Sequence, residues 1–152
     1  LHLTLHADYS LRVLLYLANT PERQVTTQEI SQAYGISKHH LVRVVKSLGT
    51  GGFVTILPGR TGGIRLAKEP DQIRVSDVVK ATEPGFRLVE CFDGHSNTCP
   101  IVPVCLLQGA LGGALQAFFE VLDRYTLADL IVPGGQAEFT SHLFPIEMIS
   151  RE

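Results

Sequence analysis

Cys91, Cys99 and Cys105 are the only cysteines in the 152-residue chain, and all of them fall within one segment, CFDGHSNTCPIVPVC. Seven residues separate the first from the second and five separate the second from the third. An odd set of thiols cannot all pair as disulfides, and crowded into one short polar loop it points to metal binding or reactivity. Thiolates are the usual ligands of iron–sulfur clusters. Three of them hold a cubane by three corners, and the fourth iron needs another donor, so reactivity concentrates at that corner. Two further readings fit the same residues: a zinc site built from Cys91, His95, Cys99 and Cys105, and three unrelated thiols.

The elements that must carry such a loop are legible upstream. Leu11 to Ala18 (LRVLLYLA) is apolar nearly all the way round, which predicts a helix buried on more than one side. Thr26 followed by Glu29 predicts a helix opened by a capping box, with Ile30, Ala33 and Tyr34 on its inner face. Gly35 supplies the left-handed residue that ends it, and Ser37 caps the next helix. Helix, glycine turn, helix is the spacing of a helix-turn-helix unit. On the second helix Leu41, Val44, Val45 and Leu48 share one side at about 100° per residue, and His39, Arg43 and Lys46 fall opposite, flanked by Lys38 and His40. The second helix of such a unit enters the major groove and reads bases from its first turns. Arg43 then addresses guanine, His39 or His40 contacts bases or phosphates, and Lys38 and Lys46 meet phosphates.

Phe53–Leu57 and Ile64–Ala67 read as two strands joined by Pro58-Gly-Arg-Thr-Gly-Gly63. This glycine-rich loop lacks a Gly-Lys-Ser/Thr ending and joins strand to strand, so it is not a nucleotide cradle. It reads instead as a wing, with Arg60 at its tip suited to the minor groove and Arg65 adding a phosphate contact. The charge distribution agrees. Residues 1–68 hold eight basic and three acidic residues, a net of +5, and the remainder holds five basic and twelve acidic, a net of −7. A basic half on an acidic half suggests that one part meets a polyanion and the other does something else.

Ser76 onward (SDVVKATE) predicts a short helix leading to the cysteine loop, and Cys105 to Arg124 predicts the longest helix of the chain. Along it Leu107, Leu111, Ala114, Phe118 and Val121 form a heptad-like seam, and Gly109, Gly113 and Ala117 form a small-residue stripe. The seam predicts a homodimer, which presents paired recognition helices to a near-palindromic operator in double-stranded DNA. The uncharged window Ile101–Phe119 is too rich in glycine, glutamine and proline for a membrane span. With no basic leader followed by a cleavage site, and with reduced thiols, the expectation is a cytoplasmic protein. No nucleophile–base arrangement and no nucleotide fingerprint suggest an enzyme. The expected organisation is mainly α: a winged helix-turn-helix DNA-binding domain over 1–80, a linker and iron–sulfur cysteine loop over 81–104, a long C-terminal dimerisation helix over 105–131 and a tail over 132–152.

These residues resemble a known family, the iron–sulfur winged-helix transcription regulators of the Rrf type. The resemblance runs from Leu3-Thr4 and Asp8-Tyr9-Ser10-Leu11-Arg12, through the wing Gly59–Leu66, then Ile73 and Asp77-Val78-Val79, to the cysteines and Tyr125–Leu130. It is strongest to the branch that represses transcription and senses nitric oxide. The gap between Cys91 and Cys99 is longer than is usual in the family, but two extra loop residues cost only about 0.3 kcal/mol of closure entropy.

The resemblance implies a repressor that binds DNA while its cluster is intact and releases it when nitric oxide nitrosylates the irons. It implies Cys91, Cys99 and Cys105 as ligands of a four-iron cluster, or else a two-iron one. Asp8 matches the acidic residue that completes the cluster from the partner subunit, with His95 as the alternative fourth ligand. A related regulator of cluster supply or redox state is the other function the family suggests.

Overall fold

The computed structural model describes residues 2–21 and 23–143. Helix α1 runs Leu5–Ala18, capped by Thr4, whose hydroxyl accepts the Ala7 amide at 3.2 Å. Its apolar circumference is buried as expected: Val13, Leu14, Tyr16, Leu17 and Ala18 all lie in the core.

Helix α2 (Thr27–Tyr34) starts where Thr26 accepts the Glu29 amide at 3.1 Å. Only that half of the expected capping box forms. The Glu29 carboxylate turns away to accept the Tyr16 hydroxyl at 2.7 Å and the Arg23 Nη1 at 2.8 Å. A guanidinium offers a charge-assisted bond that a backbone amide cannot match. Gly35 ends α2 at φ 64°, a conformation that side chains with a Cβ adopt only with strain. Ser37 then opens α3 (Lys38–Thr50) by accepting the His40 amide at 3.3 Å.

Strands β1 (Val54–Leu57) and β2 (Gly63–Leu66) pair antiparallel with Ile56 opposite Ile64. At Gly62, inside the hairpin, a Cβ would come within 2.1 Å of the Leu57 carbonyl, so the turn requires glycine there. The hairpin is sewn to the α1–α2 connection through Val25 and Ile64, which exchange backbone hydrogen bonds of 3.1 and 2.7 Å.

Helix α4 (Val75–Thr82) packs along α1, and the Thr4 amide donates to Glu83 at 2.6 Å where the two helix ends meet. The cysteine segment follows, with short 3-10 turns at Glu90–Phe92 and Val102–Val104, and leads into α5 (Leu106–Leu122), the longest helix at 17 residues. The chain then returns: Val75 donates to the Tyr125 carbonyl and Leu127 to that of Ile73, both at 3.0 Å, with Leu127 fully buried. Residues 132–152, expected as a tail, carry α6 over Gly135–Leu143, whose Phe139 meets Tyr16 edge-on at 5.8 Å between ring centroids. The rest of that stretch, 144–152, lies outside the described residues. Among the described residues no helix is long and apolar enough to cross a membrane.

The buried Tyr16 hydroxyl is pushed up to about 12 by desolvation and by its bond to Glu29. Glu29 itself is held below its ordinary range, first by the Arg23 guanidinium. A carboxyl whose folded pKa is depressed contributes stability in full above its unfolded value and loses that contribution as pH falls through the folded one. The difference in urea midpoint between wild type and Glu29→Gln is therefore expected to be largest near neutral pH and to close in strongly acid solution. A difference that does not change with pH would show that the charge of Glu29 plays no part in stability.

Candidate nucleic-acid interface and cysteine loop

Helix α3 is held by Leu41, Val44, Val45 and Leu48, all buried on its inner side. That leaves Lys38, His39, His40, Arg43 and Lys46 exposed on the outside. Among the described residues none of these five forms an ion pair. An unneutralised cationic face of this kind attracts a polyanion. The two histidines are not equivalent. His40 leans toward α1, its ring 6.3 Å from that of Tyr9. It also lines, with Arg43 and Lys46, a cleft of about 880 Å³ walled by Tyr9, Val44 and Phe53. His39 is not part of that cleft.

The wing sits beside the C-terminal end of α3, where Gly49 leaves room for Ile56 of β1. A Cβ at Gly49 would stand 3.2 Å from the Ile56 side chain. Arg60 is exposed at the hairpin tip and Arg65 is exposed on β2, opposite Thr55. Neither is ion-paired among the described residues.

The three cysteines are free thiols, each half-buried. Two carboxylates brace the backbone between them. Asp93 accepts the His95 amide at 3.1 Å and the Ser96 hydroxyl at 2.7 Å, and it pairs with Arg87 at 2.8 Å. Glu90 accepts both the Thr98 amide, at 2.5 Å, and its hydroxyl, at 2.6 Å. These bonds hold both carboxyls below their ordinary range, led by the Ser96 hydroxyl for Asp93 and the Thr98 hydroxyl for Glu90. The acids of the loop are thus engaged in its folding, and the soft donors left over are the thiols. That donor set suits an iron–sulfur group.

Within one chain the ligands are not gathered. Among the described residues no three His, Cys, Asp or Glu side chains converge as a metal site. Asp8, on α1, faces Arg12 instead, in an ion pair of 2.8 Å. The Arg12 guanidinium also lies 6.0 and 5.9 Å from the ring centroids of Tyr9 and Tyr34. His95 is exposed in the loop.

Helix α5 is fastened at both ends. Near its start Gln108 donates to the Cys91 carbonyl at 3.1 Å. Just past its end Asp123 accepts the Ser76 hydroxyl, and the Asp123 carbonyl accepts Arg74 Nη1 at 2.6 Å. The helix is therefore a strut between the cysteine loop and α4. Sequence reasoning missed both fastenings, since the partners stand far apart along the chain. The role of Asp93 had a local signal, because Asp two or three residues before a free amide or hydroxyl commonly closes a turn on itself.

The Rrf2 family model, described as an iron-dependent transcriptional regulator, matches residues 3–133. The chain belongs to the Rrf2 family. It is 48% identical over 130 residues to the HTH-type transcriptional regulator NsrR of Bacillus subtilis (strain 168), spanning 85% of this chain and 89% of that protein. To the NsrR of Halalkalibacterium halodurans it is 47% identical over 146 residues, 95% of this chain and 100% of that one. Among solved structures, T. potens IscR superposes with a TM-score of 0.69 at 24% identity, covering 86% of this chain and 85% of that one. CymR of B. subtilis, described as the global cysteine regulator, superposes with a TM-score of 0.65 at 27% identity, covering 86% and 95%. The expected mainly α winged helix-turn-helix fold is thereby confirmed, and the chain is a transcriptional regulator rather than an enzyme.

Two substitutions on α3 are expected to separate affinity from specificity. Arg43→Ala is expected to weaken binding to the preferred DNA by about 1–3 kcal/mol and to relax the preference at one base pair. Lys46→Ala is expected to weaken binding to all sequences alike and to lower the salt slope by about 1. Fluorescence anisotropy over a salt series measures both; identical behaviour of the two variants would contradict this division of labour.

Proposed function

We propose that the chain is an iron–sulfur-dependent, DNA-binding repressor that works as a cytosolic homodimer and responds to nitric oxide. The observation that carries this reading is the placement of three free thiols on one braced loop, tied through α5 to the winged domain. The names of the NsrR relatives support it.

Cys91, Cys99 and Cys105 would hold the cluster, of four irons or alternatively two, and Asp8 of the partner subunit would complete it. Bound there, the group supplies a nitric-oxide-sensitive cross-link between the cysteine loop of one subunit and the winged domain of the other. The protein residues do the rest. Asp8 would offer a hard oxygen donor among soft sulfurs, so its bond to the group would be the weakest of the set. When released, it has Arg12 ready to neutralise it. Lys38, His39, His40, Arg43 and Lys46 face the major groove, and Arg60 and Arg65 track the backbone and minor groove. The loss of the cross-link would shift a two-state equilibrium of the dimer away from the shape that fits a near-palindromic operator.

A second reading follows from the engagement of Asp8 by Arg12. If that pair persists in the dimer, the loop has only its thiols and His95, and a two-iron cluster or thiol oxidation would serve a sensor of cluster supply or redox state. Iron and sulfide counts separate the two.

Dimerisation through α5 is supported by its exposure. None of its residues is buried in the single chain, and Leu106, Leu107 and Val121 are strongly exposed. Apolar surface gathered on one helix marks an interface. Leu107→Glu is expected to convert the dimer to monomer in sedimentation velocity; an unchanged sedimentation coefficient would place the interface elsewhere.

The sensor reading is tested on anaerobically purified protein by absorbance and native mass spectrometry, before and after stoichiometric nitric oxide, with gel shift on promoter DNA in parallel. The expected result is an iron- and sulfide-bearing dimer that retards DNA and releases it after nitric oxide. Asp8→Ala is expected to alter both the cluster spectrum and the nitric oxide response. Colourless or zinc-loaded protein that shifts DNA equally under every condition would overturn the reading.

A further inference from the structure

Between Lys38 and Lys46 on the outer side of α3 stands one exposed residue that can neither donate nor accept a hydrogen bond through its side chain. Val42 is 51% exposed. It is not among the hydrophobic residues packed against the core, which on this helix are Leu41, Val44, Val45 and Leu48. At about 100° per residue it lies about 40° round the helix from both Lys38 and Lys46. It therefore sits at the edge of the cationic face, within the second turn after the Ser37 cap. The other exposed side chains from Lys38 to Lys46 are cationic or imidazole groups, suited to phosphates or to the polar edges of bases.

A lone surface valine is unremarkable on most helices. Here its position gives it something to meet. The edges of base pairs in the major groove are lined with hydrogen-bonding atoms, and the apolar feature among them is the 5-methyl group of thymine. A valine set against a hydrogen-bonding edge would strip water from a donor or acceptor and give nothing back. Against the thymine methyl it loses nothing and removes apolar surface from water. Its β-branched side chain is also stiff at χ1, so little rotamer freedom is lost on contact. We infer that Val42 reads a thymine in each half-site through its methyl group. This rests on α3 being the helix that enters the major groove.

The test uses full-length protein, purified anaerobically, and duplexes that the wild type selects from a random pool. Each thymine is replaced in turn by deoxyuridine, which lacks only the methyl group. One thymine per half-site is expected at which uracil weakens wild-type binding about fourfold, the effect of leaving one methyl-sized contact unmade. For Val42→Ala the same replacement is expected to have no effect, while every other uracil position behaves alike in the two proteins. Val42→Thr, which keeps a β-branch and a methyl group, is expected to retain the preference, and it provides a second readout should the alanine variant fold poorly.

A Val42→Ala protein with the wild-type pattern of uracil sensitivity would overturn the inference. So would a uniform loss of affinity with no position singled out, since that is the signature of contact with the sugar–phosphate backbone. Wild-type protein that selects no sequence at all would instead remove the premise, that α3 reads the major groove, and the inference with it.

Discussion

Helix α1 has more apolar surface than one neighbour can cover, and the winged domain is the set of elements that cover it. Val13, Leu14, Tyr16 and Leu17 are nearly inaccessible to solvent. Helices α3 and α4 and strand β2 all pack against α1, and Phe139 of α6 closes on Tyr16 from a distant part of the chain. Burial of this kind stabilises by roughly 25 cal/mol per Å² of apolar surface and has no directional preference. Direction comes from the polar bonds at its margins: Thr4 to Glu83 at one end, and the Tyr16–Glu29–Arg23 set at the other. The exposed strip of the same helix carries Asp8 and Arg12. The helix that seats α3 thus also presents the carboxylate proposed to meet the cysteine loop of a second subunit.

The division of polar labour in the cysteine loop follows from what each group can bond. Carboxylates are hard acceptors, and in this loop they satisfy backbone amides and hydroxyls within a few residues, at Asp93 and Glu90. Thiols are poor hydrogen-bond partners and are left half-exposed with no disulfide. The backbone of the loop is therefore held by its own carboxylates, and the thiols take no part in that bracing. Helix α5 joins this loop to α4, because Gln108 bonds to the Cys91 carbonyl and Asp123 to Ser76.

Local chemistry accounts for most of what was legible. Thr26, Gly35 and Ser37 act within a few residues of themselves, so their capping and turn roles could be read before the fold was known, and all three perform them. The inner face of α3 was legible for a similar reason: a buried stripe must repeat at the helical period. The hairpin differs from expectation only by a one-residue shift at its strand ends, where strand assignment depends on pairing rather than on type.

What the sequence by itself determined was therefore the inventory: a winged helix-turn-helix with a cationic outer face, a long apolar helix and a loop holding every thiol. Periodicity, capping and charge are properties of neighbouring residues, and neighbours are known from the sequence. Only the tertiary structure decided where the long-range partners fall. It sends the Glu29 carboxylate to Arg23 and Tyr16 instead of its own cap, and bonds Asp123 to Ser76 across 47 positions. Each of these is a competition among several acceptable partners, and the winner is the group that packing brings within bonding distance, which no local pattern encodes.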